Sequence, residues 1–243
     1  SYSPSPQDMV SLSEADLLIV NGYGLEEFLD EMLEGSDYSA SLLVASEGVP
    51  ALDAGEDEHE DEGEHDEDGH SDEDPHVWLN PNNVIVWVEN ISQALAEADP
   101  ENAEYFQLNA KSYLQQLLEL DDWIKQQISL IPEKNRDLVS DHNSLAYFAE
   151  EYGLHQIGAV IPAQTTEAET SGLQLANLIE TIRENQTRAI FVGVDFDPTL
   201  AQRVAEETGV ELVRLYFGSL SDGPPAGTYL DFMKYNVDEI VKA

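Results

Sequence analysis

The chain has 243 residues, 42% of them hydrophobic, and a formal charge of −40 from 50 acidic against 10 basic side chains. That is apolar material for one large or two modest domains. Its surface is a poor match for nucleic acid or an anionic membrane, because phosphate recognition needs clustered lysine and arginine. Cations are the natural ligands, although a salty habitat that screens self-repulsion is another setting for such an excess. The sequence has no cysteine, so disulfides and thiolate ligands are excluded and a metal would be held by His, Asp, Glu or backbone oxygen. No apolar run reaches the ~20 residues of a transmembrane helix. The sequence opens Ser1-Tyr2-Ser3 without methionine and reads as a mature or truncated segment.

In chain order, Ser5-Pro6-Gln7-Asp8 has the marks of a helix start: a serine cap, proline in the first turn and an acid at the positive end. A buried strand is expected over 17–20, stopping at Asn21-Gly22. A helix comes next with Leu25, Phe28, Leu29, Met32 and Leu33 at helical spacing, then a second strand at 42–45. Strand–helix–strand with continuous apolar strands predicts a parallel sheet covered on both faces.

Between Glu56 and Asp74 lie thirteen carboxylates with His59, His65 and His70 among them. Almost no apolar surface is available there to offset the entropy of ordering, so the tract at about 54–73 is expected to be a mobile loop of metal-ligand side chains. Without its thirteen acids the charge is still −27, so the globular part is acidic in its own right. A helix is expected over 82–98, broken near Asp99-Pro100. A longer one is expected over 101–130, with Tyr105, Leu108, Tyr113, Leu117, Leu120 and Ile124 on its apolar side. It would span roughly 45 Å, enough to serve as a spine joining two lobes. The second half alternates strands at 138–140, 156–160, 189–194 and 211–215 with helices at 144–152, 172–185 and 198–208. A Gly/Pro-rich stretch at 218–227 precedes a last helix at 228–241. The expected division is an N-terminal lobe at 1–98, a linking helix at 99–131 and a C-terminal lobe at 132–243.

Two histidines stand in settings that suit a ligand. Pro75 fixes the backbone before His76, and Trp78 and Leu79 are expected to anchor the residues after it in apolar packing, so little entropy is lost on binding. The alternative is a partly buried histidine bonded to backbone. His142, in Ser140-Asp141-His142-Asn143-Ser144, falls at the C-terminal end of a strand, the edge where open α/β sheets bind ligands. Asp141 or Asn143 could fix its tautomer; either could equally cap the next helix beside a bystander histidine. His155 reads as a surface residue. The spacing of His59, His65 and His70 is too irregular for a preformed site, leaving a weak exchangeable one or a merely solvated tract. Glu169, Asp195, Asp197 and Asp222 near strand ends would allow a two-carboxylate hydrolase. No nucleophile elbow, P-loop, HExxH or dinucleotide fingerprint accompanies them.

Four stretches together resemble the solute-binding proteins of ABC importers that handle zinc and manganese (cluster A-I). They are Tyr2 to Met9 with Ala15-Asp16-Leu17; Asp74 to Pro81, similar to the motif DPHxWLNP; Asp141-His142 with Tyr147-Phe148 and Tyr152-Gly153-Leu154; and Leu215 to Leu220 through Gly227-Thr228-Tyr229 to Tyr235-Asn236-Val237. The resemblance covers nearly the whole chain, and the acidic His-rich insertion is typical of the periplasmic zinc-binding type. It implies that His76 and His142 are metal ligands. It also implies a further histidine just before the Tyr-x-Pro-x-Pro segment, upstream of Ser1 together with a signal and the first strand and helix of the N-terminal lobe. Where many members carry an aspartate ligand this chain has Gly218; Asp222, at a different offset, is the nearby candidate for a fourth ligand. His142 stands where manganese members tend to have glutamate, and imidazole-rich coordination suits zinc better than manganese.

The expectation is therefore an α/β protein of two lobes, each a mainly parallel sheet flanked by helices, joined by a long spine helix and lacking the first strand and helix of the N-lobe. It would bind Zn2+ as a transported ligand in an interlobe cleft and deliver it to an ABC transporter permease. It would be a periplasmic or otherwise extracytoplasmic monomer, lipid anchoring being one option, with no enzymatic step and no nucleic acid partner. His59, His65 and His70 would be auxiliary loop ligands. The rivals are a manganese or iron carrier of the same fold, a metallohydrolase, and a metal-dependent surface adhesin active in cell adhesion.

Overall fold

Parallel strands carry both halves of the molecule, as the continuous apolar runs require. The computed structural model describes residues 4–34, 38, 41–52, 73–163 and 170–243; His59, His65, His70 and Glu169 lie outside them. The chain forms two compact units, one from Ser1–Ala51 and Asp66–Leu118, the other from Leu52–His65 and Glu119–Ala243.

In the first unit, α1 (Pro6–Glu14) opens with a reciprocal cap. The Asp8 N–H donates to Ser5 Oγ, and Asp8 Oδ2 accepts from the Ser5 N–H at 2.7 Å, so two otherwise orphaned donors are satisfied. Strands β1 (Leu17–Val20) and β2 (Ser41–Val44) pair in parallel, Leu17 opposite Ser41 and Val20 opposite Val44. Ile19 and Leu42 are exposed, so among the described residues this pair is not covered on both faces as the apolar runs led us to expect. The helix expected from Leu25 begins three residues later, as α2 (Phe28–Glu34). The cause is Glu26, whose carboxylate accepts the N–H groups of Asn21 (2.7 Å) and Gly22 (3.1 Å) and closes a turn at the end of β1. Gly22 sits at φ 95°, and a Cβ there would lie 2.6 Å from Val44 Cγ1, so both conformation and space require glycine.

Helix α3 (Pro81–Ala98) starts from Asn80, whose side chain accepts from the Asn82 N–H with Pro81 in the first turn. A short 3-10 turn (Pro100–Asn102) leads to α4 (Ala103–Ile128), which runs through the division between the units at Leu118. Tyr105 and Leu108, expected on its apolar side, are exposed, whereas Leu117, Leu120 and Ile124 are buried.

The second unit is a three-layer sandwich. Strands β3 (Asp137–His142), β4 (His155–Ile161), β5 (Ala189–Gly193) and β6 (Glu211–Leu215) form one parallel sheet in the order β4-β3-β5-β6. The helices between them are α5 (Ala146–Tyr152), α6 (Gly172–Asn185) and α7 (Thr199–Thr208), with α8 (Tyr229–Lys242) last. On one face Leu178 and Ile182 of α6 and Ala201, Val204 and Ala205 of α7 pack on Val139, Val160, Ile190 and Val192. The chain leaves β3 to one side for β4 and returns to the other side for β5. Such a reversal opens a crevice at the C-terminal ends of β3 and β5, where open α/β sheets take their ligands.

Candidate metal centre

His76 is positioned by a segment that buries nearly everything around it. Asp74 is fully buried, Val77 and Leu79 anchor the 3-10 turn Val77–Leu79, and Trp78 is half-buried with its ring 5.3 Å from the imidazole. Val77 and Leu79, more than the expected Trp78, hold the segment down. Pro75 is tied to the end of β1, its carbonyl accepting from Asn21 Nδ2 at 3.1 Å. From α3, Asn83 Nδ2 donates to the Val77 carbonyl at 3.0 Å. One oxygen of Asp74, Oδ1, accepts both the His76 N–H (2.9 Å) and His76 Nδ1 (2.7 Å). Asp74 is the residue that sequence reasoning passed over; an Asp two before a His, with proline between, is the local signal that could have found it.

His142 is the last residue of β3 and is likewise buried. Asp141 Oδ1 accepts the His142 N–H (2.8 Å) and Nδ1 (2.7 Å), and Asp141 Oδ2 accepts the Gly193 N–H of β5 at 2.6 Å. Of the two candidates for orienting this ring, Asp141 does so. Asn143 is engaged elsewhere, its N–H with the Ala163 carbonyl at 2.8 Å and its side-chain oxygen with Gln156 Nε2 at 3.3 Å. Ser140 Oγ donates to the His142 carbonyl at 2.6 Å, and Phe217, just past β6, meets the imidazole edge to face at 5.9 Å between centroids.

The chemistry of the two rings is the same. A carboxylate oxygen only accepts, so each Nδ1 must carry the proton, and the neutral ring then has its lone pair on Nε2. Imidazoles that bind metals through one nitrogen are oriented in this way by a carboxylate on the other, which also raises their basicity.

The remaining candidates differ. His155 begins β4 and is exposed, with Nδ1 3.1 Å from Asp137 Oδ1. Asp222 is exposed in the loop between β6 and α8, and Gly218 in the same loop has open space where a side chain would project. Asp195, just beyond β5, accepts a hydrogen bond from Ser219 Oγ, and Asp197 accepts from the Thr199 hydroxyl at 2.6 Å. The Thr199 N–H donates to the same oxygen at 3.0 Å, and the hydroxyl and N–H bonds together hold the Asp197 carboxyl below its ordinary pKa. Among the described residues no three His, Asp or Glu side chains gather into a ready-made cage.

The family model described as zinc-uptake complex component A, periplasmic, matches residues 1–243. The chain belongs to this family. It is 35% identical over 242 residues to the manganese-binding lipoprotein MntA of Halalkalibacterium halodurans, covering 99% of this chain and 75% of that protein. It is 31% identical over 245 residues to the iron-binding protein YfeA of Yersinia pestis, covering 99% and 74%. Among solved structures, the Mn-bound periplasmic metal-binding protein of Candidatus Liberibacter asiaticus superposes with a TM-score of 0.84 at 26% identity, over 100% of this chain and 85% of that one. The fold is also that of the periplasmic zinc-binding protein TroA of Treponema pallidum (TM-score 0.86, 24% identity, 100% and 85% covered). The chain is thus an extracytoplasmic metal-binding component of an ABC importer, which hands metal to a membrane permease and is not an enzyme. No described helix is long and apolar enough to cross a membrane.

Proposed function

We propose that the transported ion is zinc, and that His76 and His142 bind it through Nε2. The observation that carries this reading is the shared setting of the two rings, each with Nδ1 held by a buried carboxylate at 2.7 Å. Neutral, oriented imidazole is a good donor for zinc, whereas manganese prefers oxygen. Asp222 is the proposed further oxygen ligand. The histidines of the acidic tract, His59, His65 and His70, act as weak collectors, and the protein works as a monomer.

A second reading, manganese or iron as cargo, is favoured by the relatives named for those metals. Competition calorimetry with Zn2+ and Mn2+ on the full-length protein separates the two. Zinc is expected to bind more tightly; manganese retained where zinc does not saturate would overturn the assignment. His142→Ala and His76→Ala are each expected to weaken zinc by more than the ~100-fold typical of losing an orienting partner. Unchanged affinity would remove the residue from the ligand set. Deleting residues 55–71 should abolish weak zinc equivalents and leave the tight one, and loss of the tight one would assign the loop to the main site.

A further inference from the structure

We infer that Gly193 is a positioning residue for the His142 imidazole, acting through Asp141, and that its lack of a side chain is required for metal affinity more than for folding. The metal part of this inference rests on His142 being a ligand.

The sheet itself creates the arrangement. Strands β3 and β5 pair at Val139 with Ile190 and at Ser140 with Phe191, and there the paired residues end. On its other side β5 stays in register with β6 as far as Gly193 opposite Leu215, and the Val194 N–H bonds the Leu215 carbonyl at 2.8 Å. The Gly193 N–H therefore needs an acceptor beyond the last β3–β5 pair, and the Asp141 carboxylate provides it at 2.6 Å. Asp141 is 1% exposed. Burying a carboxylate is costly unless N–H donors compensate it; here Oδ1 takes the two N–H groups of His142 and Oδ2 takes that of Gly193. The Gly193 N–H thus fixes the rotation of the carboxylate, and the carboxylate fixes the rotation and tautomer of the ring.

The absence of a Cβ at 193 completes the device. One placed there would lie 3.1 Å from Asp141 Oδ2, 3.5 Å from Phe217 Cδ2 and 3.7 Å from Phe196 Cβ. It would press on the oxygen that anchors Asp141, while meeting the Phe217 and Phe196 side chains only at ordinary van der Waals distance, so the strain falls on the carboxylate that holds the imidazole. Gly193 is not among the glycines with positive φ, so an alanine is allowed by the backbone and reduces the entropy of the unfolded chain.

The test uses G193A in the full-length protein, with D141N as the second variant. Three readings are taken: thermal unfolding, the His142 ring tautomer by 15N NMR on metal-free protein, and Zn2+ calorimetry. Wild type should show protonated Nδ1. G193A should unfold within a few degrees of wild type, show a mixed tautomer, and bind Zn2+ about tenfold more weakly, in the range for lost orienting contacts. Asparagine at 141 has one accepting oxygen between donors on two sides, so D141N should lose the pure tautomer and about 10–100-fold in affinity. Wild-type tautomer in both variants would overturn the inference, as would a G193A affinity loss that tracks a loss of stability. A mixed tautomer with undiminished zinc affinity would uphold the positioning of His142 while removing it from the ligand set.

Discussion

The two histidines reach the same chemical state by different routes. His76 is oriented by Asp74 within one turn of chain, two residues apart, and both bonds converge on a single carboxylate oxygen. His142 is oriented by its neighbour Asp141, but that carboxylate is held in turn by Gly193, 52 residues away on another strand. The first setting is made by a local turn; the second exists only once β3 and β5 lie side by side. Second-sphere control of a ligand can therefore be written into a short motif or delegated to the sheet, and the two should fail differently.

The largest contrast comes from the ligands themselves, whose alanine variants are expected to be equally severe in zinc calorimetry. A ligand role confined to one of them would break the symmetry. Next come the carboxylates. Asp74→Asn keeps an oxygen able to accept both bonds from His76, whereas Asp141→Asn must leave a donor facing a donor. The expected order is a loss of about tenfold for Asp74→Asn and nearer 100-fold for Asp141→Asn. Asp141→Asn should also lower unfolding stability, by about 1–3 kcal/mol, since the buried Gly193 N–H loses its acceptor. Equal effects on both readings would erase the distinction between local and sheet-borne control.

The smallest expected effect supplies a control within the second unit. Tyr152 Oη donates to the buried Asp121 at 3.0 Å, and Lys125 Nζ bonds the other oxygen of Asp121 at 2.8 Å. Burial, reinforced by the negative charge of Asp121, pushes the Tyr152 hydroxyl far above its ordinary pKa. Tyr152→Phe should cost about 1 kcal/mol and leave zinc affinity unchanged. Because the folded value is raised, the contribution of Tyr152 is fully present below the unfolded pKa of about 10 and is lost as pH climbs toward the folded one. Unfolding midpoints should therefore fall more steeply above about pH 10 in wild type than in the phenylalanine variant, and parallel profiles would place the alkaline loss elsewhere.

Much of this architecture could be read from the chain. Helix Gly172–Asn185 and strand Glu211–Leu215 appear at the expected residues, because hydrophobic period and capping residues act within a few positions. The helix after β1 started late because Glu26, apolar spacing notwithstanding, was taken by the N–H groups of Asn21 and Gly22. Tyr105 and Leu108 share the apolar side of α4 yet are exposed, because periodicity reports which residues share a side of a helix, not whether anything lies against that side.

By itself, the sequence determined the α/β alternation, the strand-end placement of His142, the proline-set context of His76 and the family to which they point. Those features rest on neighbours in the chain, and local sterics and hydrogen bonding decide them. Tertiary structure decided the order β4-β3-β5-β6, the choice of Asp141 over Asn143, and the meeting of Gly193 with that carboxylate. No spacing along the chain encodes which strands become neighbours. That is settled by the burial of Val139, Ile190 and Val192 beneath α6 and α7, and the orientation of one imidazole depends on it.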